Sequence, residues 1–386
     1  MLIPPPLSLY VHLPWCVRKC PYCDFNSHEF RGGGGPPFAA YVDALLADLD
    51  HDLPLAWGRT VHSVFFGGGT PSLFPADAID AFLQGASARL RFAPGLEITL
   101  ETNPGTAEHG RFADYRRAGV NRVSIGVQTF DDAVLQRLGR IHDGAEADRA
   151  IALARDGGID NINLDLMYAL PGQDLAMALD DLARAFAHAP DHLSHYQLTL
   201  EPNTVFAARP PAGIPDDDHS WEIQLACQAA LAAAGYRQYE VSAYARSGRE
   251  CAHNLNYWRF GDYLGVGAGA HGKLSLGASG EIVRRWRRRH PTAWMAAAGG
   301  AGALDGEERV APARLPFEFM LNALRLVDGF AIAEFEARTG LDAGVIAPAL
   351  DRACAAGWLL RDGGRVRPTP LGQRFTNDVV SLFLDG

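Results

Sequence analysis

Short runs rich in β-branched and aromatic residues recur along the first half of the chain: Ser8–Leu13, Val61–Phe66, Leu96–Glu101, Arg122–Val127, Asn161–Met167 and His192–Leu200. Between them lie amphipathic stretches with helical spacing, Phe38–His51, Ala76–Leu90, Ala107–Ala118, Ala145–Arg155, Leu175–His188 and His219–Ala234. Strands alternating with helices predict parallel βα units wound in one direction. Six such units fit an α/β fold, an incomplete (β/α)6 TIM-like barrel short of the eight-unit form. Buried parallel strands normally read as unbroken apolar runs, but these alternate. Glu97, Thr99 and Glu101 oppose Ile98 and Leu100; Arg122, Ser124 and Gln128 oppose Val123, Ile125 and Val127; Asn161, Asn163 and Asp165 oppose Ile162, Leu164 and Leu166. A period of two puts each polar set on one face. An antiparallel sheet with one wet face has the same alternation, but the intervening helices speak against it. The helices must cover the apolar face, so the polar face lines the interior, and the lumen is a cavity for a polar ligand.

The pattern changes after about residue 240. Cys251–Phe260 is aromatic and polar, Gly261–Gly272 is glycine-rich with a short strand expected on each side, and Arg284–His290 is basic. Gly299–Gly306 is small and flexible and reads as a linker. Helical patterns follow at Phe317–Val327, Ile332–Thr339 and Val345–Ala356, then a hairpin turning at Asp362-Gly363-Gly364 and a last helix after Thr369. The expected division is a partial barrel over 1–240, a connecting region over 241–305 and a helical, winged-helix-like C-terminal domain over 306–386.

The chain has 386 residues, nearly half of them hydrophobic, enough for a large barrel and an appendix. A net charge of -10 argues against nucleic acid as a partner, so the winged-helix pattern reads as packing. Three of the six cysteines are clustered; Cys227, Cys251 and Cys354 are scattered. That is no disulfide framework, and it suits a reducing cytoplasm. No basic-then-apolar leader and no run of about eighteen apolar residues is present, so neither a signal peptide nor a membrane span is expected.

The clustered cysteines are Cys16, Cys20 and Cys23, spaced C-x3-C-x2-C. A zinc knuckle closes a tetrahedron with four ligands, and a self-contained cubane iron–sulfur site takes four thiolates. Here the position two residues after the third cysteine is Phe25. Three thiolates on a [4Fe–4S] cubane leave one iron open, which is what chemistry at a metal requires. This segment resembles the cluster motif of the radical S-adenosylmethionine (radical SAM) superfamily, with Tyr22 as the aromatic residue before the last cysteine. Gly67-Gly68-Gly69-Thr70-Pro71 follows the second strand. Such glycines let backbone approach a ligand, and the loop resembles the superfamily's glycine motif for the amino group of S-adenosylmethionine. Glu101, Gln128 and Asp165 are expected at strand ends, with Arg140 just beyond Gln128. Carboxylates suit ribose hydroxyls or an ammonium, and a guanidinium suits a carboxylate; together they match S-adenosylmethionine.

Tyr10-Val-His12, the cysteine motif, Gly67–Pro71, Glu101-Thr-Asn-Pro104, Ser124–Phe130, Asn163-Leu-Asp165 and Leu170-Pro-Gly172 resemble the oxygen-independent coproporphyrinogen III oxidase family over roughly residues 7–380. The resemblance implies that Tyr10, Tyr22, Gly68, Gly69, Thr70, Glu101, Gln128, Arg140 and Asp165 surround S-adenosylmethionine. Phe25 stands where the decarboxylating oxidases carry a further cysteine, and nine residues precede Tyr10 where those enzymes have a longer arm. Both departures fit the heme-chaperone branch of the family instead. That branch carries H-N-x-x-Y-W, here His253–Trp258. A neutral imidazole is a good axial ligand for heme iron, and aromatic faces suit a macrocycle. On residues alone, a histidine beside aromatics also reads as a packed structural residue. The resemblance implies heme at His253, Tyr257 and Trp258, with Cys251 as a secondary ligand and Arg284–His290 either near the propionates or simply a charged strand. The expected function is a cytoplasmic heme chaperone that passes heme to a hemoprotein. The alternative is oxidative decarboxylation of coproporphyrinogen.

Overall fold

The computed structural model describes residues 2–32, 34–106 and 111–384. A twelve-stranded sheet forms its centre. Strands β1 (Leu7–Leu13), β2 (Thr60–Gly68), β3 (Arg91–Thr102), β4 (Arg122–Gln128), β5 (Asn161–Tyr168) and β6 (His192–Gln197) lie side by side, all parallel. They are the six runs that the alternation marks. Each is followed by a helix: α1 (Phe38–Ala56), then Ala76–Ser87, Arg111–Arg117, Gly144–Asp156, Leu175–Ala187 and Asp217–Ala233. The start of the expected helix Ala107–Ala118 lies outside the described residues. The end strands of the ladder do not pair with each other, so the barrel stays incomplete.

Local chemistry starts the helices where it should. Asp143 and Glu146 form a reciprocal capping box, and Asp174 and Asp216 each accept from a first-turn backbone N–H. The apolar strand faces, with Val64, Phe66, Leu100, Val123, Ile125, Ile162 and Leu164, pack in one core with Leu45, Leu49, Ile79, Phe82 and Ile151 of the helices. The polar faces point inward, as the alternation requires.

A seventh parallel strand, Asp262–Val266, pairs with the free side of β1, and His271–Leu276, Glu281–Arg287 and Leu304–Arg309 extend the sheet antiparallel. Two expectations need correction. Of the strands expected on either side of Gly261–Gly272, the first, Asp262–Val266, lies inside it, and the second, His271–Leu276, starts at its end. Glycine permits the fold-back, because a Cβ on Gly265 would lie 1.9 Å from the His271 carbonyl oxygen. Gly299–Gly306 is no free linker; it runs into the strand Leu304–Arg309. Gly306 faces Trp286 in the ladder, and a Cβ there would lie 2.1 Å from the indole.

The strand part of the basic run is not a solvated edge either, whereas Arg288, Arg289 and His290 are exposed. Arg287 pairs with Asp48 at 2.8 Å and Asp52 at 2.5 Å, and Arg285 also pairs with Asp52. All four are buried. Asp48 and Asp52 sit one turn apart on α1, so two arginines on alternate strand positions meet two carboxylates on one helix face. Arg284 pairs with Glu318. These guanidinia already have carboxylate partners and are not held for propionates.

The C-terminal region has its own apolar cluster around Phe319, Phe330, Phe335, Leu350 and Val366, joined by Leu2, Phe260 and Ile282. Helices Leu315–Ala323, Ile332–Thr339 and Ala347–Ala355 precede the hairpin Leu359–Asp362 and Arg365–Pro368, which Phe330–Ala331 completes as a small sheet. Thr369 caps the following helix. Three helices and a three-stranded wing are the winged-helix-like arrangement.

Candidate functional site

A cavity of about 1230 Å³ opens at the carboxyl ends of the parallel strands, the end where βα barrels place their chemistry. Cys16, Cys20 and Cys23 line it from the loop after β1. A short pairing of Trp15–Cys16 with His28–Glu29 closes that loop at its base. Each sulfur has a polar neighbour: Thr70 Oγ1 donates to Cys16 at 3.4 Å, Arg140 Nη1 to Cys20 at 3.6 Å, and Ser27 Oγ lies 3.6 Å from Cys23. Donors of this kind suit sulfurs that carry thiolate charge as metal ligands. Burial pushes the Cys16 thiol up to about 11 and raises Cys23 as well. A thiolate here would therefore form together with a positively charged partner such as a metal. Among the described residues no three Cys, His, Asp or Glu side chains converge as ligands of a single metal ion. A cubane is less demanding, since each thiolate binds a different iron.

The glycine loop presses against the cysteine loop. Gly69 N–H donates to Leu13 O and Thr70 N–H to Trp15 O, both at 2.8 Å. Gly68 has φ +119°, and a Cβ there would lie 2.7 Å from the His12 ring. Its N–H donates to Glu101 Oε2 at 3.1 Å. Tyr10 and His12 project from β1. His12 Nε2 donates to Asn26 O at 3.0 Å, so its Nδ1 accepts from Tyr10 O–H at 3.0 Å.

Glu101, Ser124, Gln128, Asn163, Asp165, Ser194 and Tyr196 form the polar wall. Ser124 Oγ and Asn163 Nδ2 donate to the two Asp165 oxygens at 2.9 and 2.8 Å. Asp165 lies three residues short of the end of β5, not at its end as expected. Gln128 does close β4, in left-handed backbone with φ 70°. Such a conformation costs about 1–3 kcal/mol and persists only where the surroundings impose it. Asp181 supplies that constraint, accepting from Thr129 Oγ1 at 2.8 Å and Phe130 N–H at 2.7 Å. Tyr196 O–H donates to Gln128 Oε1 at 2.9 Å. Arg140, beside Cys20, donates through Nη2 to Gly126 O at 2.7 Å.

His253, Tyr257 and Trp258, on the helix Ala252–Trp258, line the same cavity. His253 Nδ1 lies 3.2 Å from Ser63 Oγ, and its ring packs 5.0 Å from Phe65. Burial lowers its pKa to about 3, so the imidazole is neutral. Cys251 is absent from the cavity wall. It is fully buried, its thiol pushed up to about 12 by burial, and it bonds to Glu97 Oε1 at 3.4 Å. The expectation of a heme ligand at Cys251 is therefore dropped; the side chain anchors the helix start, where Glu97 also accepts from Ala252 and His253 N–H.

Comparison with known proteins follows this geometry. Residues 10–185 match the family model of the radical SAM superfamily, and 310–375 match that of the HemN C-terminal domain. The chain is 51% identical over 380 residues to heme chaperone HemW of Escherichia coli K12, covering 98% of each chain. It is 47% identical to heme chaperone HemW of Haemophilus influenzae, again with 98% of each covered. The chain belongs to the heme chaperone HemW family. Its fold is the radical SAM partial barrel with the appended helical region. The solved coproporphyrinogen III oxidase HemN of E. coli shares that fold, with a TM-score of 0.81, 24% identity, and coverage of 98% of this chain and 90% of that one.

Against this HemW background, sequence reading missed Ser194 and Tyr196, although they share a face with His192 in β6 and the alternation signals it. It also passed over Asn26, whose carbonyl fixes the His12 tautomer.

Glu101 and Asp165 make the wall sensitive to charge. Burial and the Asp165 charge push Glu101 up to about 8, and burial raises Asp165. The folded chain thus holds the Glu101 proton more tightly than the unfolded chain does. Its contribution to stability is complete below the ordinary value of 4.5 and is lost as pH rises toward about 8. We expect the metal-free chain to lose unfolding free energy across that window more steeply than Glu101→Gln, measured by urea titration at several pH values. Parallel curves for the two proteins contradict the assignment.

Proposed function

We propose that the protein is a cytoplasmic heme chaperone with a radical SAM core, which binds heme and passes it to an acceptor hemoprotein. Cys16, Cys20 and Cys23 hold a [4Fe–4S] cluster. Tyr10, Tyr22, Gly68, Gly69, Thr70, Glu101, Gln128, Arg140 and Asp165 surround S-adenosylmethionine. His253, Tyr257 and Trp258 receive heme. The observation that carries this reading is that one cavity is lined by all three sets. When bound, the cluster supplies an iron with an open coordination position for S-adenosylmethionine.

The chain's own residues account for the selectivity. Glu101 and Asp165 are two desolvated carboxylates in one wall, an arrangement that repels itself and favours a ligand bearing ammonium and sulfonium charge. Arg140 is placed for a carboxylate and also donates to a cluster sulfur. His253 is buried and neutral, so its nitrogen lone pair is free of a competing proton. No helix among the described residues is long and apolar enough to cross a membrane.

Asp165→Ala should weaken S-adenosylmethionine binding about tenfold or more, the usual loss for a bond to a charged group. Iron content should stay at the parent level, because Asp165 bonds to Ser124 and Asn163 and not to the cysteine loop. Equal affinity in the two proteins, measured by calorimetry on reconstituted chain, removes Asp165 from the cofactor site. The second reading, coproporphyrinogen oxidation, is favoured by the shared fold with HemN. Phe25 argues against it, since it stands 62% exposed on the cavity wall where a further thiol is needed.

A further inference from the structure

The cavity carries a second imidazole that none of the assignments above uses. His271 lies on its wall and is exposed. It stands directly opposite Trp286 on the neighbouring strand, the two rings stacked at 6.3 Å and 21°. Gly306 on the next strand leaves room for the indole. Neither ring nitrogen of His271 makes a hydrogen bond among the described residues, and burial together with Arg284 and Arg289 lowers its pKa. Arg289 and Arg18 line the same cavity, and neither makes a salt bridge among the described residues, whereas Arg284, Arg285 and Arg287 on the strand before Arg289 all do. Phe25, exposed, borders this cavity as well.

An imidazole without a hydrogen-bond partner, a flat indole behind it and two guanidinia without a salt bridge are the groups that recognise a planar metal macrocycle with carboxylate arms. We propose that His271, backed by Trp286 and flanked by Arg289, is a second heme-binding position, at which heme iron is ligated during entry and handover. The inference rests on the heme reading of the cavity. The two imidazoles divide the work by their surroundings. His253 is enclosed by Phe65 and Tyr10 and tied to Ser63, which suits retention. His271 is exposed and untied, which suits exchange, because a ligand near solvent is released without opening the core.

The test is stopped-flow uptake of hemin by the full, cluster-reconstituted chain, followed by release to excess apomyoglobin. His271→Ala should slow both phases by about tenfold while the final bound spectrum keeps its His253 character. Arg289→Ala should weaken hemin binding but leave an esterified hemin, which lacks free carboxylates, unaffected. The double change His253→Ala, His271→Ala should abolish the histidine-type spectrum that His271 still supplies after His253→Ala alone. If the parent takes up hemin and His271→Ala matches it within about twofold in both phases, the second position is wrong and the heme reading stands. A parent chain that takes up no hemin overturns both.

Discussion

Cys20→Ala abolishes the iron–sulfur absorbance of the reconstituted protein and lowers iron from about four per chain to near zero. The effect is expected to be all-or-none because three thiolates are the minimum hold on the cubane and the described residues offer no substitute. Thr70, Arg140 and Ser27 surround the sulfurs but are hydrogen-bonding neighbours, not ligands of comparable strength. Cys20 is also the sulfur that Arg140 contacts, so its loss removes the link between the cysteine loop and the proposed S-adenosylmethionine wall, and cofactor binding should fall with the iron. The fold should survive, since Cys20 is only half-buried and outside the apolar core. Iron analysis and absorbance of anaerobic protein, with circular dichroism as the control, check this. Stoichiometric zinc in anaerobically purified parent protein contradicts it.

His253→Ala carries the second large effect. It should weaken hemin binding at equilibrium by at least about tenfold and shift the bound spectrum away from a buried histidine ligand field. The immediate neighbours offer no replacement nitrogen, so the residual histidine-type spectrum is that of the exposed His271. Ser63 is hydrogen-bonded to Ser8 at 2.8 Å, and Asn256 is turned away to Ser8 and the Asp262 carbonyl. Ser63→Ala is the conservative companion. It leaves the ligand but frees its ring, so a small spectral shift with nearly full affinity is expected. Optical titration reads both, and hemin binding in His253→Ala identical to the parent returns His253 to a packing role.

The parallel strands and their inward polar faces were legible because alternation inside βα units has one physical solution: apolar side toward the helices, polar side toward a cavity. The cysteine triad, the glycine loop and the wall residues Glu101, Gln128 and Asp165 stood out for the same reason, being polar or conformationally special where a buried strand needs neither. The seventh parallel strand was not legible. Asp262–Val266 is short, lies beside glycines and reaches β1 from about 250 residues away in sequence, and no local pattern records such a pairing. The fates of Cys251 and the arginine run were hidden for a related cause. Whether a cysteine lines a cavity or bonds to Glu97, and whether Arg285 and Arg287 meet solvent or Asp48 and Asp52, depends on elements distant in the chain. The resemblance implied a ligand at Cys251 and residue type allowed a charged surface strand for the arginines, and tertiary packing decided otherwise.

One preparation separates the chaperone from the oxidase most directly. Anaerobically reconstituted protein, with reductant and S-adenosylmethionine, is offered hemin in one arm and coproporphyrinogen III in the other. The expected result is about one hemin bound per chain, transferable to an apo-hemoprotein, and no decarboxylated porphyrin in the second arm. Sustained conversion of coproporphyrinogen III without saturable hemin binding contradicts the proposal and makes the cavity that of an oxidase.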